Sequence, residues 1–193
     1  MQGMASYETR RFTRAEYDKL IEIGFFQPSD PIELIGGELM VAEPQGAEHY
    51  TAIRRTARAL AVAFGPGWDI RTQGPIGLDD ESEPEPDVAV VSGSLDDYGH
   101  AHPSRPVLTV EVAVSSLGVD RQRKGSLYAR AGLTDYWVLN LVDRTLEVYR
   151  EPVADSAAPF GWRYGGAEVL GVDAHVTPLA APAASIPIAR LLP

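Results

Sequence analysis

The sequence predicts a single α+β domain in which helices and strands are interspersed along the chain. Two kinds of pattern lead to this fold class. Apolar residues recur at helical spacing over residues 48–64 and again over residues 120–131. Apolar runs of strand length occupy residues 88–91, 107–114 and 136–141. These runs are short, apolar and bounded by turn residues, so we expect them to be buried strands.

The composition is that of one globular domain spanning residues 1–193. With 193 residues and 45% hydrophobic content, the chain is long enough to form one well-buried core. It has no cysteine, so any bound metal must be held by carboxylate, histidine or carbonyl ligands, which favours magnesium. No apolar run approaches the roughly 18 residues that a membrane helix needs, and no signal-peptide segment opens the chain. We therefore expect a soluble, cytoplasmic protein without a membrane partner.

The charge balance counts against simple DNA binding. The formal net charge is −10, whereas a protein that binds nucleic-acid phosphates is usually basic. Positive residues are nevertheless grouped on the two predicted helices. They are Arg54, Arg55 and Arg58 on the first, and Arg121, Arg123, Lys124 and Arg130 on the second. Solvated helix faces and local phosphate-binding patches are both compatible with this grouping.

The N-terminal part of the chain predicts a helix followed by a hairpin. A capping-box pattern at residues 13–16 opens a helix over about residues 14–23, and Pro28 lies beyond its predicted end. Two consecutive glycines at positions 36 and 37 predict a two-residue turn between two short strands. Glu38 begins the second of these strands. An acidic residue there is usually a solvated edge charge, so the pattern alone gives it no functional role.

Residues 48–64 give the strongest helix prediction. Six residues form its expected apolar stripe: Tyr50, Ile53, Ala57, Leu60, Ala61 and Phe64. His49 lies in the first turn, where the positive end of the helix dipole favours the neutral form of histidine. A neutral imidazole can act as a metal ligand or a base. A histidine that only forms a hydrogen bond near the helix start is equally compatible with this position.

The next part of the chain places two acidic residues on strands. Residues 68–73 and 76–78 predict strand segments, and an acidic loop at 79–85 leads to the strand that Asp87 opens. In the following strand, Glu111 shares a face with small or polar residues, opposite the valines. If these two strands are adjacent, the carboxylates of Asp87 and Glu111 lie side by side. At neutral pH such a pair requires a cation or a proton between the two groups.

A lysine occupies the expected inner face of the second helix. Asp120 can cap this helix, and Lys124 shares one face with Leu127, Tyr128 and Ala131. Buried ammonium and carboxylate groups are costly to desolvate unless they are paired with each other or with a metal. The lysine therefore needs an acidic partner inside the fold.

The remaining sequence predicts a hairpin and a C-terminal β extension. Residues 136–141 and 145–150 form the hairpin, and strands follow at residues 161–164 and 168–170. We expect the apolar tail at residues 186–192 to dock against the core. The same tail could instead bury its apolar side chains against a second copy of the chain.

The order of these elements and their motifs resemble the PD-(D/E)XK nuclease superfamily and, more closely, the Uma-two family of restriction endonucleases. The segments that carry this resemblance are 33–39, 48–49, 85–91, 111–117, 120–124, 127–132 and 135–138. A lone Pro-Asp pair would have no weight, but the full ordered set is specific. The resemblance implies a restriction-endonuclease-like core over about residues 33–150, with a mixed central sheet flanked by helices.

The resemblance also implies a metal site. Asp87 and Glu111 would ligate magnesium (or manganese), with the Val112 carbonyl as a third ligand. In the usual superfamily motif the lysine lies two residues after the second acid, and that position here is Ala113. The Uma-two family supplies lysine from the following helix instead. Lys124 would then orient or help to deprotonate the attacking water and offset phosphate charge.

Two further polar positions match the family, and one position departs from it. The resemblance implies that Glu38 and His49 complete the metal shell or its water network. Val114 stands where relatives often have a polar residue. The implied activity is that of a metal-dependent endodeoxyribonuclease with DNA as its substrate. A homodimer is expected, because cleavage of both strands of a duplex needs two active sites.

Two alternatives remain open from the sequence. A protein can retain a nuclease fold without efficient cleavage and act as a nucleic-acid or protein interaction module. The acidic composition favours this alternative, whereas Asp87, Glu111 and Lys124 favour the nuclease. The three residues could also form a structural ion-pair network with no catalytic role.

Overall fold

The computed structural model describes residues 9–27, 30–42 and 44–193. Its helices are α1 (Arg14–Glu22), α2 (Ala47–Phe64) and α3, which joins the consecutive segments Leu117–Val119, Asp120–Lys124 and Gly125–Arg130. Its strands are β1 (Ile32–Ile35), β2 (Glu38–Val41), β3 (Trp68–Thr72), β4 (Val88–Ser92), β5 (Leu108–Ala113), β6 (Asp135–Asn140), β7 (Thr145–Ala154), β8 (Trp162–Leu170), β9 (His175–Val176) and β10 (Ile186–Pro187). Short 3-10 helices lie at Leu95–Tyr98 and Ile188–Arg190.

A six-stranded mixed sheet forms the centre of the fold, in the order β3-β4-β5-β6-β7-β8. Strands β5 and β6 are parallel, and the other neighbouring pairs are antiparallel. A parallel pair cannot be joined by a tight turn and needs a crossover connection, which α3 provides. The mixed central sheet flanked by helices is therefore confirmed, and it extends beyond residue 150 because β8 forms one of its edges.

The two faces of the sheet are covered by different helices. Ile53 of α2 belongs to the same buried cluster as Val110 and Val112 of β5. Tyr128 of α3 packs with Ala113 on the opposite face. Because successive strand residues face opposite sides, Glu111 points away from α2 and towards α3.

The N-terminal helix and hairpin form as predicted. Thr13 and Glu16 make the reciprocal capping-box hydrogen bonds, and α1 ends at Glu22. Strands β1 and β2 pair as a hairpin, and its turn glycines at positions 36 and 37 have φ angles of 58° and 79°. These left-handed values explain the choice of glycine, which lacks a Cβ that would clash. Pro28 lies outside the described residues.

Two strand predictions are wrong in detail. Residues 76–78 do not form a strand, and the Ile76 amide donates to the Pro84 carbonyl in a loop. Ile76 is fully buried against Ala89 and Val91, so the apolar pattern there reflects burial only. The two short strands expected at 161–164 and 168–170 are parts of one continuous strand, β8, which is bonded along β7.

The apolar stripe of α2 is rotated relative to the prediction. Tyr50 and Ala61 are exposed, whereas Ala52 and Thr56 are buried together with Ile53 and Leu60. The C-terminal tail supplies part of the surface that these residues cover. Ile188, Leu191 and Leu192 are buried in the same core cluster, and Arg55 donates a hydrogen bond to the Leu192 carbonyl. Docking of the tail against the core is therefore confirmed.

Across residues 9–27, 30–42 and 44–193, no helix combines the length and the apolar character needed to cross a membrane.

Candidate active site

A cleft of about 570 Å³ opens between the β1–β2 hairpin, the start of α2, the end of β5 and the first half of α3. Its lining includes six acidic side chains: Glu33, Glu48, Glu85, Asp87, Glu111 and Asp120. The basic or titratable nitrogen groups in the same lining are those of Lys124 and His49. The lining therefore has an excess of acidic over basic side chains, and carboxyl groups are the ligands that a hard cation takes.

Asp87 and Glu111 both line this cleft. Val88 pairs with Val110 across β4 and β5, so the start of β4, which Asp87 precedes, lies beside the end of β5 that carries Glu111. The Val112 amide donates to Asp87 Oδ2 at 2.8 Å, which holds the aspartate against β5. Asp87 is 8% exposed and Glu111 is 3% exposed. Strand register thus brings both acidic residues to the same cleft.

Lys124 reaches the same cleft from α3. Its Nζ atom lies 3.2 Å from Glu111 Oε1 and 3.0 Å from Glu33 Oε1. Burial acts to lower the pKa of Lys124, but the charges of Glu111 and Glu33 outweigh it and raise the pKa. The lysine is therefore a permanently charged ammonium at neutral pH.

Glu111 is held by a second donor as well as the lysine. The Tyr128 hydroxyl donates to Glu111 Oε1 at 2.8 Å. Burial raises the pKa of Glu111 well above its usual range, and the charge of Lys124 acts in the opposite direction. A divalent cation beside Glu111 would stabilise its ionised form, because an opposite charge favours ionisation.

Glu33 is a site residue that the sequence did not single out. Its Oε1 atom faces Lys124, and its Oε2 atom accepts a hydrogen bond from the Glu85 amide at 3.0 Å. One carboxylate thereby connects β1, the segment just before Asp87 and the lysine of α3. Glu33 lies within the segment 33–39 that resembles the family, and it precedes two apolar residues, Leu34 and Ile35, which are fully buried. An acidic residue next to this apolar pair was the sequence signal that could have identified it.

Glu38 does not belong to the cleft, which corrects the expectation that it completes the metal shell. Its carboxylate pairs with Arg123 at 2.5 Å, and its side chain is 45% exposed. The physical reason is position along the hairpin, because Glu33 and Glu38 lie on the same face of it but at opposite ends. Ile35 pairs with Glu38 at the turn end, away from the cleft, whereas Glu33 pairs with Met40, which lines it.

His49 holds the groups around Asp87 in place. Its Nε2 atom lies 2.6 Å from the Val112 carbonyl and 3.4 Å from Asp87 Oδ2. A carbonyl can only accept, so Nε2 carries a proton and is not free to ligate a metal. Burial acts to lower the pKa of His49, but the hydrogen bond and charge of Asp87 outweigh it and raise the pKa. The buried Nδ1 atom has no hydrogen-bond partner within the described part of the chain.

The first half of α3 departs from the predicted helix. Asp120 is not its cap, because helical structure begins at Leu117 and continues as a π-helix through Asp120–Lys124. The wide turn is bonded from the Gly125 amide to the Asp120 carbonyl, and it directs both Asp120 and Lys124 inward. Ala131, expected on the inner face, is exposed.

Asp120 is an acidic residue of the cleft with an unusual pKa. The Ser116 hydroxyl donates to its Oδ2 atom at 2.6 Å, and the residue is 3% exposed. Burial raises its pKa to about 6, although Lys124 and Ser116 oppose this effect. The unfolded chain releases this proton at lower pH than the folded chain does, so stability falls as the pH rises from about 4 to about 6, and the loss is complete above pH 6.

We therefore expect Asp120→Asn to stabilise the fold at neutral pH in EDTA. The gain should be about 3 kcal/mol at pH 7.5 and should disappear as the pH falls from 6 to 4. Urea unfolding followed by circular dichroism at several pH values measures this difference. The exposed Asp96→Asn variant is the control, and a gain that is independent of pH would contradict the assignment.

The family assignment follows from a comparison with known proteins. Residues 14–177 match the model of the Uma2 (Uma-two) family, which is described as "Putative restriction endonuclease". The chain belongs to the Uma2 family. A crystal structure described as "a putative nuclease belonging to DUF820", from Anabaena variabilis, has a TM-score of 0.67 over 89% of this chain and 96% of that one. At 19% identity this likeness shows a shared fold. No curated protein matches the chain.

The donor set of this Uma2 protein fits a hard divalent cation. Asp87 and Glu111 offer carboxylate oxygens in one cleft, and carboxylate and carbonyl oxygens are the ligands that magnesium uses. Within the described residues, no three acidic or histidine side chains stand together as a metal-binding group. The protein's share would be two carboxylates and the Val112 carbonyl, whose oxygen has a second lone pair besides the one that faces His49.

Proposed function

We propose that this Uma2 protein is a metal-dependent endodeoxyribonuclease that uses magnesium or manganese to hydrolyse phosphodiester bonds in DNA. One observation carries the proposal: Asp87 and Glu111 line the same cleft, with Lys124 Nζ 3.2 Å from Glu111 Oε1. Membership of a family described as restriction endonucleases supports a nucleic-acid substrate.

The residues of the cleft have separate roles in the proposed reaction. Asp87, Glu111 and the Val112 carbonyl would hold the cation. A divalent cation supplies polarisation of the phosphoryl oxygen and lowers the pKa of a bound water. Lys124 stabilises charge that develops on the phosphate and orients the water. Because its two carboxylate partners keep it protonated, Lys124 is not the group that accepts the proton of the water. His49 fixes Asp87 and the Val112 carbonyl.

A plasmid assay tests the proposal. Supercoiled plasmid is incubated with the protein in magnesium, in manganese, or in EDTA, and nicked and linear forms are quantified. We expect supercoiled plasmid to be converted to nicked and linear forms only with a divalent cation. Because the plasmid has no free ends, its conversion shows cleavage within the strand. Conversion that proceeds equally in EDTA would contradict metal dependence. A labelled RNA of the same sequence determines the preference for DNA.

An interaction module is the second candidate function. The observation that favours it is the neutralisation of Lys124 by two buried carboxylates in a chain of net charge −10. Such a site attracts a polyanion only after a cation has bound. Calorimetry with magnesium and then with DNA separates the two functions, because binding without cleavage supports the module.

A homodimer remains part of the proposal, since cleavage of both strands needs two sites. The tail does not provide the interface, because Leu191 and Leu192 are buried in the core of their own chain. Light scattering after gel filtration, with and without duplex DNA, measures the oligomeric state.

A further inference from the structure

The acidic chain neutralises most of the cations near its cleft. On α3, Arg121 pairs with Glu147, Arg123 with Glu38 and Arg130 with Asp79. Lys124 is shared between Glu33 and Glu111. The basic residues of this helix are therefore not free to bind a phosphate backbone outside the cleft.

Helix α2 presents a different surface. Tyr50, Arg54 and Arg58 follow one another at intervals of four residues and form an exposed row, which we call the α2 ridge. Within the described residues, the side chains of Arg54 and Arg58 form no ion pair or hydrogen bond. Glu48 is the single acidic residue of the helix. Residues four apart lie on one face of a helix, so the two guanidinium groups share one side of it.

The ridge begins beside the cleft. His49, which precedes Tyr50, lines the cleft and contacts Asp87. With a rise of 1.5 Å per residue, Arg54 lies about 7 Å and Arg58 about 13 Å further along the helix than His49. The opposite face of α2, with Ile53 and Leu60, is buried in the core, so the ridge is held rigidly towards solvent.

We propose that the α2 ridge binds the strand of nucleic acid that extends from the cleft. Arg54 and Arg58 contact backbone phosphates, and the ring of Tyr50, which is 55% exposed, stacks on a base. Guanidinium groups bind phosphate oxygens with two parallel hydrogen bonds, which suits unpaired arginines. This inference rests on the proposed nuclease function. It explains how a chain with a net charge of −10 can bind a polyanionic substrate.

The salt dependence of binding tests the inference. A fluorescein-labelled 20-base single strand and a 20-base-pair duplex are titrated with the full chain in calcium, and anisotropy gives Kd at several salt concentrations. Loss of two phosphate contacts should reduce the slope of log K against log salt by about 1.8 for the duplex and about 1.4 for the single strand. We therefore expect Arg54→Gln/Arg58→Gln to weaken binding about tenfold or more at low salt. Tyr50→Ala should weaken single-strand binding about tenfold with little change of slope.

The matched control removes the same charge elsewhere. Lys19 and Arg105 are exposed, and their side chains form no ion pair or hydrogen bond within the described residues. We expect Lys19→Gln/Arg105→Gln to change Kd less than twofold. Equal losses in the two double variants would show a general charge effect and overturn the ridge, as would an unchanged Kd for the ridge variant.

Cleavage kinetics separate this inference from the proposed function. The ridge double variant should raise KM for plasmid about tenfold and leave kcat within twofold of the wild type. If the wild type cleaves and the ridge variant has the same KM, the ridge is wrong and the nuclease stands. If the wild type cleaves nothing but the ridge variant loses binding, the ridge stands and the nuclease is wrong.

Discussion

Replacing Asp87 or Glu111 with alanine is expected to lower plasmid cleavage by about a thousandfold or more. Each substitution removes an oxygen ligand of the proposed cation, and electrostatic stabilisation of the reacting phosphate is the largest catalytic contribution at such a site. The rate is measured from the nicking of supercoiled plasmid at saturating magnesium. Higher manganese should recover part of the activity, because each single variant retains the other carboxylate.

Glu147→Ala is the matched control for these two variants. Glu147 is also an almost fully buried carboxylate, on β7, but it pairs with Arg121 and does not line the cleft. It should lower thermal stability while a folded sample keeps its cleavage rate within about threefold. Activity that survives in both Asp87→Ala and Glu111→Ala would eliminate the proposed site.

Strand alternation explains why the two carboxylates were predictable from the sequence. In a strand the side chains alternate strictly, so the apolar positions of β5 fixed the direction of Glu111. The position of Asp87 before an apolar run likewise fixed its end of β4. The sequence pattern does not give the register of β4 against β5. The structure supplies this register through the pairing of Val88 with Val110.

The sequence pattern did not give the positions of Glu33, Glu38 and Asp120, because these depend on contacts between segments that are far apart in the chain. Glu33 and Glu38 are both acidic residues of one hairpin. Glu33 lies at the end of the hairpin that lines the cleft, whereas Glu38 lies at the turn end. The sequence predicts a helix cap at Asp120, because no local sequence signal marks the π-helix that the structure has there. In each case the information lies in packing against residues far away in the sequence.

The cleft also shows why net charge is a poor guide to this protein. Six acidic side chains around one lysine disfavour a polyanion in the absence of metal, and a divalent cation would favour the ionised form of the same groups. Charge on α3 is cancelled locally by ion pairs, whereas the side chains of Arg54 and Arg58 on α2 have no ion-pair partner in the part of the chain that the structure describes. The distribution of charge between these two helices therefore matters more for substrate binding than the total of −10.

Lys124→Met is expected to lower both cleavage and stability. Cleavage should fall by about a hundredfold to a thousandfold, because one fixed cation at the phosphate is lost. Removing one partner of a buried ion pair typically costs 3–5 kcal/mol of unfolding free energy, since Glu33 and Glu111 are left without their cation. Urea unfolding and the plasmid assay measure the two losses on the same sample. Arg121→Met, which breaks an ion pair outside the cleft, should spare cleavage.

The partner variant Glu33→Gln determines how the lysine is positioned. We expect it to lower kcat about tenfold with KM unchanged, because a neutral amide no longer holds the ammonium beside Glu111. In the Lys124→Met background the same substitution should have no further effect on kcat, and it should restore part of the lost stability by removing an unpaired buried charge. Independent, additive losses of kcat in the double variant would show that Glu33 acts on the reaction by a route other than Lys124.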